Sequence, residues 1–181
     1  MKKDISKPLT KCRLFVKATW LPIKITLIVI FSCSILFQLI AFIASNNPIP
    51  WHERVTWSLF FTAVPTIFIS AFVLIDPTRG IYRIVKQERA LNFSFSAEMR
   101  KNNITELSYS DDLWFVNVIG LEIIVYRRDY IKEVISLARD KNVRRRAPPV
   151  LTAVRFDDKK IEISSSDDDC LKELEQWLLR E

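Results

Sequence analysis

The sequence has one histidine and two glycines, and each shortage excludes chemistry. His52 is the lone histidine, so no Ser-His-Asp or Cys-His arrangement can be assembled in the C-terminal half of the chain. Gly80 and Gly120 cannot supply a phosphate-cradling loop or a dinucleotide fingerprint, both of which need clustered glycines. The three cysteines, Cys12, Cys33 and Cys170, lie far apart, and none is in CxxC spacing. Such a set fits a reducing compartment better than a disulfide scaffold, and it leaves too few soft ligands for an ordinary zinc site. A non-enzymatic protein without metal or cofactor is the expectation.

Charge is missing from two long stretches. Ile25 to Ala44 is 20 residues without a charged side chain, and Val55 to Ile75 is a second such run of 21. At ~1.5 Å rise per residue each spans about 30 Å, the thickness of a hydrocarbon core. A cleaved signal peptide would carry a shorter apolar region ending at small residues, and no second run would follow at once. Trp20 and Lys24 sit just before the first run, and Trp51 and Trp57 bracket the start of the second, as membrane-interface anchors do. Pro65 sits near the middle of the second run, where membrane helices tolerate it. The runs contain no Asp, Glu, Lys, Arg or His, so the ionisable groups a transport path needs are absent. Gln38 reads as a helix-packing contact, to the second run or to a second copy in a homo-oligomer.

Net positive charge is confined to one end. Residues 1–24 hold seven basic side chains against Asp4, Glu53 and Arg54 cancel, and residues 76–181 are balanced, so the net charge of +6 belongs to the N-terminal arm. A nucleic-acid-binding domain is therefore not expected. The basic arm and the cluster Arg79, Arg83, Lys86 and Arg89 place both termini on the cytoplasmic side of an inner membrane.

The chain thus divides into a basic arm (1–24), a transmembrane hairpin (25–75, with helices 25–44 and 55–75), a juxtamembrane helix (76–90) and an α+β cytoplasmic domain (91–181). Asp76-Pro77 is expected to end the second span. Residues 78–90 then form a separate amphipathic helix with Ile81, Ile84 and Val85 on one face, touching either anionic lipid or the domain.

In the domain, Phe93 and Phe95 alternate with serines as in a strand, and residues 104–110 are strand material. LWFVNVI and LEIIVYR around Gly120 predict one β-hairpin, and VLTAVRF and KIEIS around Asp157-Asp158 predict another. Ile131, Val134, Ile135 and Ala138 have helical spacing, which predicts a helix from Asp129 to about Asn142. Ser166 with Asp169 reads as a cap before a final helix bearing Leu171, Leu174, Trp177 and Leu178. The two units of strand, turn, strand and helix suggest a tandem duplication, and strands closed by a C-terminal helix would also suit a pleckstrin-homology-like shape.

Two basic clusters, Arg127-Arg128 and Arg144-Arg145-Arg146, are candidate contacts for an anion or a partner. Asp111-Asp112, Asp157-Asp158 and Asp167-Asp168-Asp169 read as turn and helix-start residues rather than a metal-dependent centre. The architecture points to a bacterial inner-membrane interaction protein. Its domain would bind or block a membrane or secreted protein, in the manner of immunity proteins or of those that exclude an incoming plasmid or phage. The alternative is a membrane effector gated by a nucleotide or an anionic lipid headgroup.

Overall fold

The computed structural model describes residues 7–44, 50–138 and 149–180. Two long antiparallel helices, α1 (Lys11–Ala44) and α2 (Trp51–Leu91), form a hairpin. By length and composition both are apolar enough to cross a membrane. Phe31, Ile43, Ile67, Phe68 and Phe72 are each more than 60% exposed. So much contiguous apolar surface is unusual for a protein in water. Between the helices, Thr62 Oγ1 donates to Ser34 Oγ at 3.0 Å, and the rings of Phe37 and Phe61 meet at 5.0 Å.

The expected helix break at Asp76-Pro77 does not occur. Pro77 lies inside α2, which runs on to Leu91 and ends at Asn92 in the left-handed conformation (φ 52°). Proline removes one backbone hydrogen bond, but its fixed φ suits a helix. The following turns are held because they pack: Pro77, Gly80, Ile84 and Gln87 are buried along one stripe. Of the two readings for residues 78–90, docking on the domain is the one observed. His52, expected in the connecting loop, stands in the first turn of α2.

The rest of the chain is α+β. Helix α3 (Phe95–Lys101) replaces the strand expected at Phe93 to Ser96. Its first residue donates a backbone N–H to Glu88 Oε1 at 2.8 Å. Phe93 and Phe95 both set their rings edge-on to Trp114, with centroids 5.3 Å apart. A two-residue alternation was too short a signal against that packing.

Strands β1 (Ser108–Ser110), β2 (Trp114–Ile119) and β3 (Glu122–Arg127) form one antiparallel sheet in that order. Strands β4 (Ile131–Ala138), β5 (Val150–Arg155) and β6 (Lys160–Ser164) form a second. Both expected hairpins are present, each extended by a third strand. Gly120 takes φ +56° at the β2–β3 turn, and Asp158 takes φ +61° at the β5–β6 turn.

Strand β4 overturns the helix expected from Asp129, and with it the duplication. The reason is two register shifts against β5, between Ile131 and Glu133 and between Val134 and Ser136. Each bulge inserts a residue, so the inward side chains fall at 131, 134 and 137 instead of every second position. The bulges thereby place Ile131 and Val134 at a spacing that a helix also shows, whereas Ile135 is exposed.

The first sheet is the middle of three layers. Side chains alternate between its faces, which is why β2 and β3 read as continuous apolar runs. Phe115, Ile124 and Tyr126 meet Leu151, Ala153 and Ile163 of the second sheet and Leu171, Leu174 and Trp177 of the last helix, α4 (Asp168–Leu179). On the other face Trp114, Val116, Ile123 and Val125 meet Phe95, Met99 and Ile84, together with Leu9, Leu14 and Ala18. The basic N-terminal segment is thus part of a core from Leu9 onward. The cap of α4 is Asp167, which accepts from the Asp169 N–H at 2.9 Å, in place of Ser166.

Candidate functional site

The junction between hairpin and domain holds a buried polar side chain, Gln87. Strand β3 is an edge strand, and α2 covers that edge. Gln87, 1% exposed, donates from Nε2 to the Val125 carbonyl at 2.7 Å, and its Oε1 accepts the Arg127 N–H at 2.9 Å. One side-chain amide thus supplies the donor and acceptor that a neighbouring strand would offer. Two turns earlier, Gly80 makes the close approach possible. A Cβ there would lie 2.6 Å from Ile123 Cβ and 2.7 Å from the Ile123 carbonyl oxygen.

Glu88 ties three helices together. Its carboxylate accepts from Lys11 Nζ at 2.6 Å and from the Phe95 N–H at 2.8 Å. The Leu9 N–H donates to the Ile104 carbonyl at 2.8 Å. Both helices of the hairpin are therefore fastened to the domain.

Among the described residues, two of the cavities are shallow and polar. One, about 70 Å³, is lined by Asp76, Arg79, Arg83, Glu122, Ile123, Ile124 and Ser164, where α2 meets the ends of β3 and β6. The other, about 100 Å³, is lined by Ser108, Tyr109, Ser110, Asn117 and Glu173 among others. Both are smaller than the roughly 300–1,000 Å³ of ordinary small-molecule sites. Around the first cavity, Arg79 makes an exposed 3.4 Å pair with Asp76. Glu122 is held by the Ser165 hydroxyl at 2.6 Å and by the Ser166 N–H at 3.0 Å. Burial pushes the Tyr126 hydroxyl up to about 12, and the nearby Arg83 charge partly offsets this.

The residues singled out in the sequence are dispersed. Arg127 is engaged in the structure of the domain. Its guanidinium pairs with Glu98 at 3.2 Å and Asp129 at 3.3 Å, and it stacks 4.7 Å above the Phe93 ring. Arg128 lies in a 3-10 turn, Arg128–Tyr130, and donates its backbone N–H to the Leu113 carbonyl. Arg144, Arg145 and Arg146 lie outside the described residues. Trp20, Lys24 and Trp57 are exposed on the hairpin, and Trp51 is the first residue of α2. Trp57 stacks on Phe61 at 5.9 Å.

The acidic clusters serve the turns. Asp111 Oδ1 accepts the N–H groups of Leu113 and Trp114, and its Oδ2 accepts the Tyr109 hydroxyl at 2.7 Å. That last bond, more than burial, raises Tyr109 to about 12. Asp157 receives two bonds from the Arg155 guanidinium, which holds its carboxyl below the ordinary range. Among the described residues no group of His, Cys, Asp and Glu could hold a metal ion. Cys170 is buried, and burial raises its thiol to about 12, whereas Cys12 is exposed.

Sequence reasoning missed Gln87, Glu88 and the Arg79–Arg83 pair as site residues. The arginines stood out only as charges that set topology, although a spacing of four places them on one helix face. Glu122 and Ser164, distant in sequence, gave no signal that they would join them. No family model, curated protein or solved structure matches the chain.

Proposed function

We propose that this chain is a two-pass membrane protein that holds its α+β domain rigidly at the cytoplasmic face, where the domain binds a protein partner. The observation that carries the reading is the double fastening of hairpin to domain. Leu9, Leu14 and Ala18 of the N-terminal segment and Ile84 of α2 share one core with β2 and β3. A domain fixed in this way presents a surface in constant register with the bilayer, which suits recognition of another membrane-associated protein. Both ends of the hairpin meet in that core, so a hairpin that crosses the bilayer has both ends on one side. The basic residues flanking the apolar runs favour the cytoplasmic side.

A binding role fits the chemistry better than catalysis. The turn carboxylates are occupied by backbone N–H groups and arginines, and the described cavities are small. An immunity or exclusion protein is the kind of function we favour, with an incoming toxin component, plasmid or phage protein as the target. A nucleotide-gated effector is less well supported, because neither described cavity has the volume a nucleotide needs.

Photo-crosslinkers at exposed domain positions such as Asp112 and Lys172, activated in native membranes, test the reading. The expected product is a discrete protein adduct. Adducts with lipid alone, together with unchanged sensitivity of a deletion strain to toxins, plasmids and phages, would refute it.

A further inference from the structure

The cavity beside Arg79 and Arg83 combines position and charge in a way that the proposed partner binding does not use. The apolar run of α2 ends at Ile75. At ~1.5 Å per residue, Asp76, Arg79 and Arg83 lie about 1.5, 6 and 12 Å beyond it along the helix axis. The headgroup layer is roughly 5–7 Å deep on each side of the hydrocarbon core. Asp76 and Arg79 therefore fall within that layer, and the Arg83 backbone lies about 5 Å beyond it. The spacing of three and four residues puts all three on one face of the helix. Gly80, between the arginines, lets β3 approach until Ile123 and Ile124 line the cavity beside them.

The lining carries two guanidiniums, two carboxylates and the Ser164 hydroxyl. An isolated phosphate would meet Asp76 and Glu122 as well as the arginines, and an isolated ammonium would meet the arginines as well as the carboxylates. A group with phosphate and ammonium two carbons apart finds opposite charge at each end. The carboxylates call for N–H donors, which a primary ammonium has and a trimethylammonium lacks. Glu122 is already oriented by Ser165 and Ser166. The exposed Arg79–Asp76 pair is weak enough to open. Only the headgroup needs to enter so small a cavity, because the acyl chains stay in the bilayer beside α2.

We infer that Asp76, Arg79, Arg83, Glu122 and Ser164 form a binding site for the phosphoethanolamine headgroup of a membrane phospholipid. The inference rests on the transmembrane reading of the hairpin. The test uses the full chain in nanodiscs of phosphatidylglycerol mixed with either phosphatidylethanolamine or phosphatidylcholine, with retained lipid counted by native mass spectrometry after mild delipidation. Phosphatidylethanolamine should be retained at least about tenfold over phosphatidylcholine, roughly the worth of one charge-assisted hydrogen bond. Arg79→Gln with Arg83→Gln should abolish the preference. Asp76→Asn, at an exposed position, should reduce it severalfold.

Protection of Cys170 from alkylation reports that each variant is folded. Equal retention of the two lipids overturns the inference. So does selective retention of phosphatidylglycerol, or displacement by inorganic phosphate alone. Alkaline carbonate extraction separates these failures from failure of the membrane reading: a chain released from membranes contradicts the latter, whereas an integrated chain without lipid preference contradicts only the site.

Discussion

Gly80→Ala sets two physical effects of opposite sign against each other. In an ordinary helix interior the change stabilises by about 0.5–1 kcal/mol, because alanine loses less conformational freedom than glycine. Here the new methyl would sit 2.6 Å from Ile123 Cβ and 2.7 Å from the Ile123 carbonyl oxygen. Neither atom is the end of a flexible side chain, so α2 must move off β3. That movement strains the Gln87 bonds to Val125 and Arg127. Overpacking of this kind costs about 1–3 kcal/mol, and backbone contact places it in the upper part of that range. The net expectation is a destabilisation of about 1–2 kcal/mol.

The assay is alkylation of Cys170 in detergent micelles, since this thiol is 3% exposed and reacts when the domain opens. A loss of that size raises the open population roughly 5- to 30-fold. Thr78→Ala, at an exposed position two residues earlier, is the control that changes propensity without adding a contact. Alkylation of Gly80→Ala no faster than wild type would refute the docking of α2 on β3.

Other variants test other parts of the fold. Leu14→Ala, at a fully buried position, should lower domain stability by about 2–5 kcal/mol in the same assay, whereas a free N-terminal arm would give no change. Arg127→Lys should cost about 1–3 kcal/mol through lost pairing and stacking, and should leave lipid retention unaltered, because its guanidinium is paired within the domain and does not line the cavity. The Asp157 carboxyl is held below its ordinary range by Arg155, so the pair contributes stability above the unfolded value near pH 4 and loses it as pH falls further. Asp157→Asn should therefore be less stable than wild type at pH 7, and the gap should narrow in acid denaturation below about pH 4. A gap independent of pH would contradict this.

Both hairpins were legible in the sequence because their turns carry residues that tolerate left-handed backbone, Gly120 and Asp158. Helix α4 was legible from its apolar stripe, although Asp167 rather than Ser166 caps it. Strand β4 was not legible, because its bulges set the inward residues Ile131 and Val134 three apart, as on a helix face, while Ile135, which completed the helical pattern, is exposed. The continuation of α2 through Pro77 depended on β3, forty residues on, offering a surface for Gly80 and Gln87. The packing of Leu9, Leu14 and Ala18 was hidden among lysines that read as a membrane flank. Of the candidate site residues, Arg127 proved to be engaged within the domain, while Arg79 and Arg83 gained meaning only when Glu122 and Ser164 were brought beside them.

The central claim, a hairpin that crosses the bilayer with both ends on the domain side, is tested most directly by labelling with a membrane-impermeant maleimide. Cys12 is exposed and serves as one probe; Asp112→Cys and His52→Cys, each in a Cys12→Ser background, serve as the others. In spheroplasts His52→Cys should react while Cys12 and Asp112→Cys are protected, and in inverted vesicles the pattern should reverse. Reaction of His52→Cys and Cys12 from the same side would contradict the account.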